Sequence, residues 1–215
     1  VGAGLIGQEV ASSATQRGVK ATLIDALPNP FDALMGPGGG HHLRALHEQA
    51  GVDLKLGRRL IGVRDDGMLH LDDDTLVRAD CILVAVGVRP ATEWTPWPKG
   101  IPVDAEGRTP IPNVYAAGDA TGVAHWEAAS RQGTAAACAM LGLPRRAEQP
   151  PLVWSDQHGV RIQRIGDPRG ARNLKGPGPI MYERDGRIVA VVRMNDQGGL
   201  REARRLIDTP IRKAA

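Results

Sequence analysis

The sequence predicts an α/β unit followed by a small α+β module, and three observations carry that reading. Residues 1–25 run from a glycine-rich turn through a helical pattern to a strand ending on an acid. Asp80-Cys-Ile-Leu-Val-Ala-Val86 is a nearly continuous apolar run, as expected of a strand inside a parallel sheet. Residues 152–215 alternate as strands and then close with one amphipathic helix, the order of an α+β module.

The elements follow in order. Val1-Gly-Ala-Gly-Leu-Ile-Gly7 is a turn of the form G-x-G-x-x-G. Ile6, Val10, Ala11, Ala14 and Thr15 give the next segment an apolar stripe near helical spacing, and Gly18 is its stop signal. Residues 20–25 read as a strand, residues 26–37 as a proline-containing loop, and His41 to Gln49 as a helix ended by Gly51. Val52 to Leu56 reads as a strand. Segments near 59–64, 68–71 and 75–77 form an antiparallel meander with Asp65-Asp66-Gly67 as a turn. Residues 87–112 are irregular, with six prolines. Asn113 to Asp119 reads as a short apolar strand, Trp126 to Leu141 as a helix, and Pro144 to Pro151 as a linker. Val160–Ile165, Ile180–Glu183 and Arg187–Arg193 read as strands, and Gly199 to Ile207 as the last helix.

The first turn carries the most specific chemistry. Gly2 permits the tight turn, Gly4 lets the backbone approach a pyrophosphate, and Gly7 lets the helix lie close to the sheet. Leu5 and Ile6 then present helix-terminal N–H groups and a positive dipole end to phosphate. A ribose-binding acid is expected about 20 positions on, and Asp25 supplies it. A carboxylate there accepts from a ribose 2′-hydroxyl and repels a 2′-phosphate. No Lys or Arg occurs between residues 21 and 43, so NAD is favoured over NADP. The unit therefore reads as Rossmann-like. The chain opens inside its own fingerprint, with the preceding strand reduced to Val1, and so reads as a piece of a longer protein.

Composition bounds the rest. With 215 residues and 42% hydrophobic content the chain is globular. No apolar run approaches the roughly 18–20 residues of a membrane span. Cys81 and Cys138 are far apart, form no C-x-x-C, and read as buried thiols, which fits a reducing, cytoplasmic compartment. His41, His42 and His47 are too loosely spaced to argue for a metal. Charge is uneven: residues 1–140 hold 12 Lys/Arg against 16 Asp/Glu, whereas residues 141–215 hold 15 against 8. A basic C-terminal module suggests steering of an acidic partner. Aromatics at 3% leave little for base stacking, which argues against nucleic acid.

Five segments then occur in order: Gly-Leu-Ile-Gly-Gln-Glu-Val-Ala (4–11), Val-Gly-Val-Arg-Pro (86–90), Val-Tyr-Ala-Ala-Gly-Asp-Ala (114–120), His-Trp-Glu-Ala-Ala (125–129) and Trp-Ser-Asp-Gln-His-Gly-Val-Arg-Ile-Gln (154–163). Together they resemble the FAD-dependent ferredoxin–NAD(+) reductases of the pyridine nucleotide-disulfide oxidoreductase superfamily, which serve oxygenase and cytochrome P450 systems. The resemblance covers nearly the whole chain. Its most specific part is the Trp-Ser-Asp-Gln segment.

The resemblance implies an NAD-binding domain at 1–86, the second part of an FAD-binding domain at 87–148 and a C-terminal reductase domain at 149–215. It implies FAD and NAD as cofactors and an acidic [2Fe–2S] ferredoxin as partner. Gly118 and Asp119 would meet the ribityl chain of FAD. Trp126 would open a helix against the flavin. Glu9 would lie where nicotinamide and flavin meet. Val86 and Gly87 would end the last strand beside the nucleotide, and Arg89 would fix the domain crossover. Trp154, Arg161 and Arg164 would face the ferredoxin. A hydride-transfer flavoprotein needs no acid–base pair, so no catalytic residue is assigned. The earlier FAD fingerprint expected of such reductases is not in this sequence, so the half flavin site would leave apolar surface unburied. Rubredoxin, nitrite or disulfide reductases of the same architecture remain open, as does a non-catalytic NAD-binding piece. The lack of C-x-x-C counts against a dithiol enzyme.

Overall fold

The computed structural model describes residues 1–144, 149–174, 176, 178–195 and 199–211. The chain divides into two compact units, one of Val1–Gly87 with Trp154–Ala215 and one of Val88–Val153. The architecture is a mixed α/β, Rossmann-like region followed by a C-terminal antiparallel sheet.

In the first unit, α1 (Leu5–Thr15) leads to β1 (Thr22–Asp25), then α2 (Asp32–Met35), α3 (His41–Gln49) and β2 (Asp53–Leu56). Strands β1 and β2 pair in parallel, Thr22 opposite Asp53. A meander of β3 (Leu60–Val63), β4 (Leu69–Leu71) and β5 (Leu76–Val77) follows, with Leu69 and Leu71 buried against Ile24 of β1. The C-terminal sheet comprises β6 (Leu152–Gln157), β7 (Val160–Gly166), β8 (Arg172–Leu174), β9 (Ile180–Arg184) and β10 (Arg187–Met194), in the order β6-β7-β10-β9-β8. Ile162 and Ile165 of β7 and Tyr182 of β9 are buried, and Ile162 and Ile165, three residues apart, lie on opposite faces of β7. Helix α5 (Leu200–Leu206) buries Ala203 and exposes Arg201, Arg204 and Arg205.

The C-terminal sheet packs on the Rossmann-like elements through Tyr182. Its ring is fully buried, and its hydroxyl donates to the Met35 carbonyl at 2.7 Å. The ring lies over Gly36 and Gly39, where a Cβ would come within 2.5 and 2.6 Å of it. Glycine is therefore a steric requirement beneath this tyrosine. Burial, reinforced by the charge of Asp32, pushes the Tyr182 hydroxyl up to about 12, so it stays a donor. Phe31, Met35 and Leu43 complete this core.

In the second unit a 3₁₀ turn at Gly118–Thr121 precedes α4 (Trp126–Met140). Gln132 of α4 accepts from the Gly118 N–H at 2.8 Å and from the Thr121 hydroxyl at 3.1 Å, tying the turn to the helix.

Several expectations are corrected. The run 80–86 forms no strand. Among the described residues its ladder partner is Val1, through Val1 N to Leu83 O and Ala85 N to Val1 O, both 2.7 Å. A single residue alongside cannot build a ladder, so Val84 and Val86 stay about 70% exposed. Cys81 lies in this run and is exposed rather than buried, whereas Cys138 is half-buried. Residues 113–119 hold a single bridge, Tyr115 to Arg108, in place of a strand. The loop at 26–37 contains the short helix α2, and β8 had no clear sequence signal. Part of the linker expected at 144–151 lies outside the described residues. No helix among the described residues is long and apolar enough to cross a membrane.

Tyr182→Phe leaves the buried Met35 carbonyl without its donor. We expect a loss of about 1–3 kcal/mol, read from urea unfolding.

Candidate functional site

The fingerprint forms a tight turn. Gly2 has φ of 96°, and its N–H donates to the Ile24 carbonyl at 2.7 Å. A Cβ there would sit 2.3 Å from Ala85 O, so the turn also approaches the chain leading to Val86. A Cβ on Gly7 would lie 1.9 Å from Gly2 O, which holds α1 hard against the turn. Gly4 is different: a Cβ would meet nothing within 4 Å. Its face opens outward, and α1 begins there with no side chain capping its first N–H groups. A close-packed Gly2 and Gly7 with an open Gly4 is the arrangement that a pyrophosphate at a helix N-terminus requires.

Asp25 ends β1 and reaches back to this turn. Its Oδ2 accepts from the Ala3 N–H at 2.7 Å and its Oδ1 from the Leu27 N–H at 2.8 Å. Each carboxylate oxygen retains a further lone pair for a ribose hydroxyl. Asp25 therefore ties the turn to the end of β1 besides its expected ligand role. These residues fit a dinucleotide.

Helix α1 buries only part of the stripe that the sequence suggested: Ala11 is buried and Ala14 and Thr15 are half-buried. Ile6 and Val10 are 56% and 41% exposed, while Gly7, Gln8, Ala11 and Ser12 are buried. The reason is tertiary: the polar edge of α1 faces the C-terminal sheet. Ser155 of β6 donates to Glu9 at 2.5 Å, the His158 N–H donates to the Ser12 hydroxyl at 2.6 Å, and Gln157 donates to Gln8 at 3.1 Å. Glu9 thus spans the C-terminal sheet and the helix that follows the fingerprint.

His47 of α3 joins this seam. It is fully buried, stacks on Phe31 at 5.4 Å, and lies 3.1 Å from Gln157 Oε1 and 2.9 Å from His158 Nε2. Burial, and then the neighbouring His158, lower its pKa to about 4. His158 is lowered by burial as well. Sequence reasoning missed Gln8, Ser12, His47 and Gln157. The one available signal was a polar pair four residues apart on α1.

In the second unit, Gly118 is buried with φ of 72°, and Asp119 is exposed on the 3₁₀ turn. Trp126 opens α4 and is 73% exposed, and His125 is the N-cap residue. Val86 and Gly87 are exposed at the end of the first unit, and Gly87 has φ of 114°. The fingerprint and Asp25 thus come together in one unit, and Gly118, Asp119 and Trp126 belong to the other. No cluster of three or more His, Cys, Asp or Glu suited to a metal occurs among the described residues.

The two arginines expected to face the partner are both engaged within the chain. Arg164 is half-buried, and its Nη1 donates to the Ala33 and Leu34 carbonyls of α2 at 2.6 and 3.1 Å, a structural use. Arg161 is exposed but held by Asp156 through two 2.8 Å hydrogen bonds. Trp154 is half-buried in β6.

A fingerprint turn of this form, with an acid at the end of the next strand, is the pattern of the dinucleotide-binding fold class. Residues 1–133 match the pyridine nucleotide-disulphide oxidoreductase family, and residues 152–215 match the reductase C-terminal domain. The chain belongs to the pyridine nucleotide-disulphide oxidoreductase family. Among solved structures it is similar to the covalent putidaredoxin reductase–putidaredoxin complex, with TM-score 0.87, 23% identity, and coverage of 96% of this chain and 57% of that one. It is similar to Fdr9, with TM-score 0.83, 28% identity, and coverage of 99% and 61%. It is similar also to the ferredoxin reductase for the CYP199A2 system from Rhodopseudomonas palustris, with TM-score 0.79, 23% identity, and coverage of 90% and 55%. The chain therefore spans 55–61% of the length of these relatives.

Two outcomes are expected. Gly7→Ala costs more than about 2 kcal/mol, because the clash is with backbone, whereas Gly4→Ala stays within about 0.5 kcal/mol. Paired urea titrations measure both. For His47 the folded pKa lies below the ordinary value of 6.5, so between pH 6.5 and 4 the unfolded chain binds the extra proton. Stability is flat above this window and falls on the order of 2–3 kcal/mol as pH drops through it. His47→Gln flattens that slope.

Proposed function

We propose that this chain is the NAD-binding and C-terminal part of a flavoprotein reductase that passes electrons from NADH, through FAD, to a [2Fe–2S] ferredoxin of an oxygenase or cytochrome P450 system. The observation that carries it is the open Gly4 face between a close-packed Gly2 and Gly7, with Asp25 bound to the same turn. In this reading Gly2, Gly4, Leu5, Ile6 and Gly7 hold the pyrophosphate, and Asp25 takes the ribose hydroxyls. Glu9, Val86 and Gly87 lie toward the nicotinamide. Gly118, Asp119 and Trp126 contribute the second part of the FAD site. The division into an NAD domain at 1–86, an FAD segment at 87–148 and a reductase domain at 149–215 belongs to the same proposal. FAD, when bound, supplies hydride acceptance and one-electron donation. The protein's part is orientation, exclusion of water and the field around the site.

The ferredoxin reading is supported by the reductase C-terminal domain and by its excess of basic residues. Arg201, Arg204 and Arg205 lie exposed on α5 and are better placed to steer an acidic surface than Arg161 or Arg164.

The test uses the complete flavoprotein. We expect NADH to be preferred over NADPH as donor by roughly tenfold or more, since Asp25 repels a 2′-phosphate. Arg204→Glu with Arg205→Glu is expected to raise KM for the ferredoxin by roughly tenfold at low salt, with NADH–ferricyanide turnover unchanged. An unchanged KM overturns the docking assignment, and equal use of NADPH overturns the role of Asp25.

A further inference from the structure

Gln157 is buried completely, yet it belongs to the C-terminal sheet, far in sequence from the glycine turn. Its hydrogen bonds lead there. The Gln157 amide nitrogen donates to Gln8 Oε1 at 3.1 Å and to the Ser155 hydroxyl at 2.9 Å. The Gln8 amide nitrogen in turn donates to the Ala3 carbonyl at 2.7 Å. Ala3 is fully buried and Gln8 is 1% exposed, so water cannot replace either partner.

The direction of this chain is determined by its chemistry. Ala3 O can only accept, so Gln8 must present its NH₂ to Ala3 and its oxygen to Gln157. Gln157 must then present its NH₂ to Gln8 and its oxygen to His47. His47 Nε2 must carry a proton, which leaves Nδ1 to accept from His158 Nε2. Every donor therefore points from the half-buried His158 toward the turn. Aligned hydrogen bonds of this kind polarise one another and fix each amide in one orientation.

We propose that Gln157 is a positioning residue for the glycine turn: through Gln8 it fixes the plane of the Ala3–Gly4 peptide, the segment that a nucleotide pyrophosphate approaches. The inference rests on the reading of that turn as nucleotide-binding. It gives the C-terminal sheet a role in the nucleotide site in addition to any partner contact. Ala3 is held from two sides: Asp25 takes its N–H, which belongs to the Gly2–Ala3 peptide, and Gln8 takes its carbonyl, which belongs to the Ala3–Gly4 peptide. The Gln8 hydrogen bond therefore bears on the Ala3–Gly4 plane, and the Asp25 one on the plane before it.

The 215-residue chain tests this with two variants, Gln157→Met and Gln8→Met, and their combination. The first readout is amide exchange at Gly2, Ala3 and Gln8, whose N–H groups are bonded to Ile24 O, Asp25 Oδ2 and Gly4 O. The second is the Kd for NADH. Each single variant is expected to speed exchange at these three amides by roughly tenfold and to raise Kd by roughly three- to tenfold. Exchange along β10 should be unchanged. The double variant should be no worse than the more severe single one, because both break the same chain. Unchanged exchange at the three amides overturns the proposal, as do additive effects in the double variant or equal acceleration along β10. Faster exchange with an unchanged Kd overturns the link to the nucleotide. If the wild-type chain fails to bind NADH while exchange responds as expected, the nucleotide reading of the turn falls and the positioning of the turn by Gln157 stands.

Discussion

The buried amide of Gln157 is the constraint on which the first unit depends. A buried amide must satisfy its donors and acceptor within the protein, since leaving one unpaired costs on the order of 1–3 kcal/mol. Gln157 meets this demand only if α1, α3 and β6 are held in one register. Gln8 must face it from α1, His47 from α3, and Ser155 from its own strand. A shift of β6 by one residue would exchange the buried Ser155 and Gln157 for the exposed Asp156. The seam therefore specifies how the C-terminal sheet meets the Rossmann-like elements, and apolar packing beneath Tyr182 supplies much of the attraction.

The glycine turn is the second constraint and works by exclusion. Gly2 and Gly7 are required because other atoms occupy the space of their missing side chains. Gly4 is glycine with that space left open. Three glycines in one motif thus obey two different rules, and only Gly4 leaves its face open. Asp25 links the turn to the end of β1, so the residue proposed to take the ribose also stabilises the turn.

The exposed apolar residues have a pattern. Val84, Val86, Val88, Trp94 and Trp126 are each at least 65% exposed. Val84 and Val86 belong to the first unit, and Val88, Trp94 and Trp126 to the second. Apolar side chains at this exposure are a minority on the surface of a folded domain and mark each unit as carrying uncovered apolar area. The chain spans 55–61% of the length of its structural relatives.

Local order was legible in the sequence wherever it depended on neighbours in the chain. The helix at His41–Gln49, the meander at 60–77 and the strands β7, β9 and β10 of the C-terminal sheet follow from periodicity, glycine stops and turn residues. The fingerprint and Asp25 were legible because their spacing is itself the geometry. Three features were not. The run 80–86 has the composition of a buried strand, but a strand exists only where a second chain segment supplies its hydrogen bonds, and among the described residues Val1 alone does so. The buried face of α1 mixes Ala11 with Gln8 and Ser12, so hydrophobic periodicity found the first and missed the two polar residues. Arg164 read as a surface charge, but it caps the carbonyls of α2 from across the unit. The sequence by itself determined those local elements and the spacing of the glycine turn. Only the tertiary structure decided which polar side chains are buried together, because pairing between residues more than 100 positions apart leaves no periodic trace in the chain.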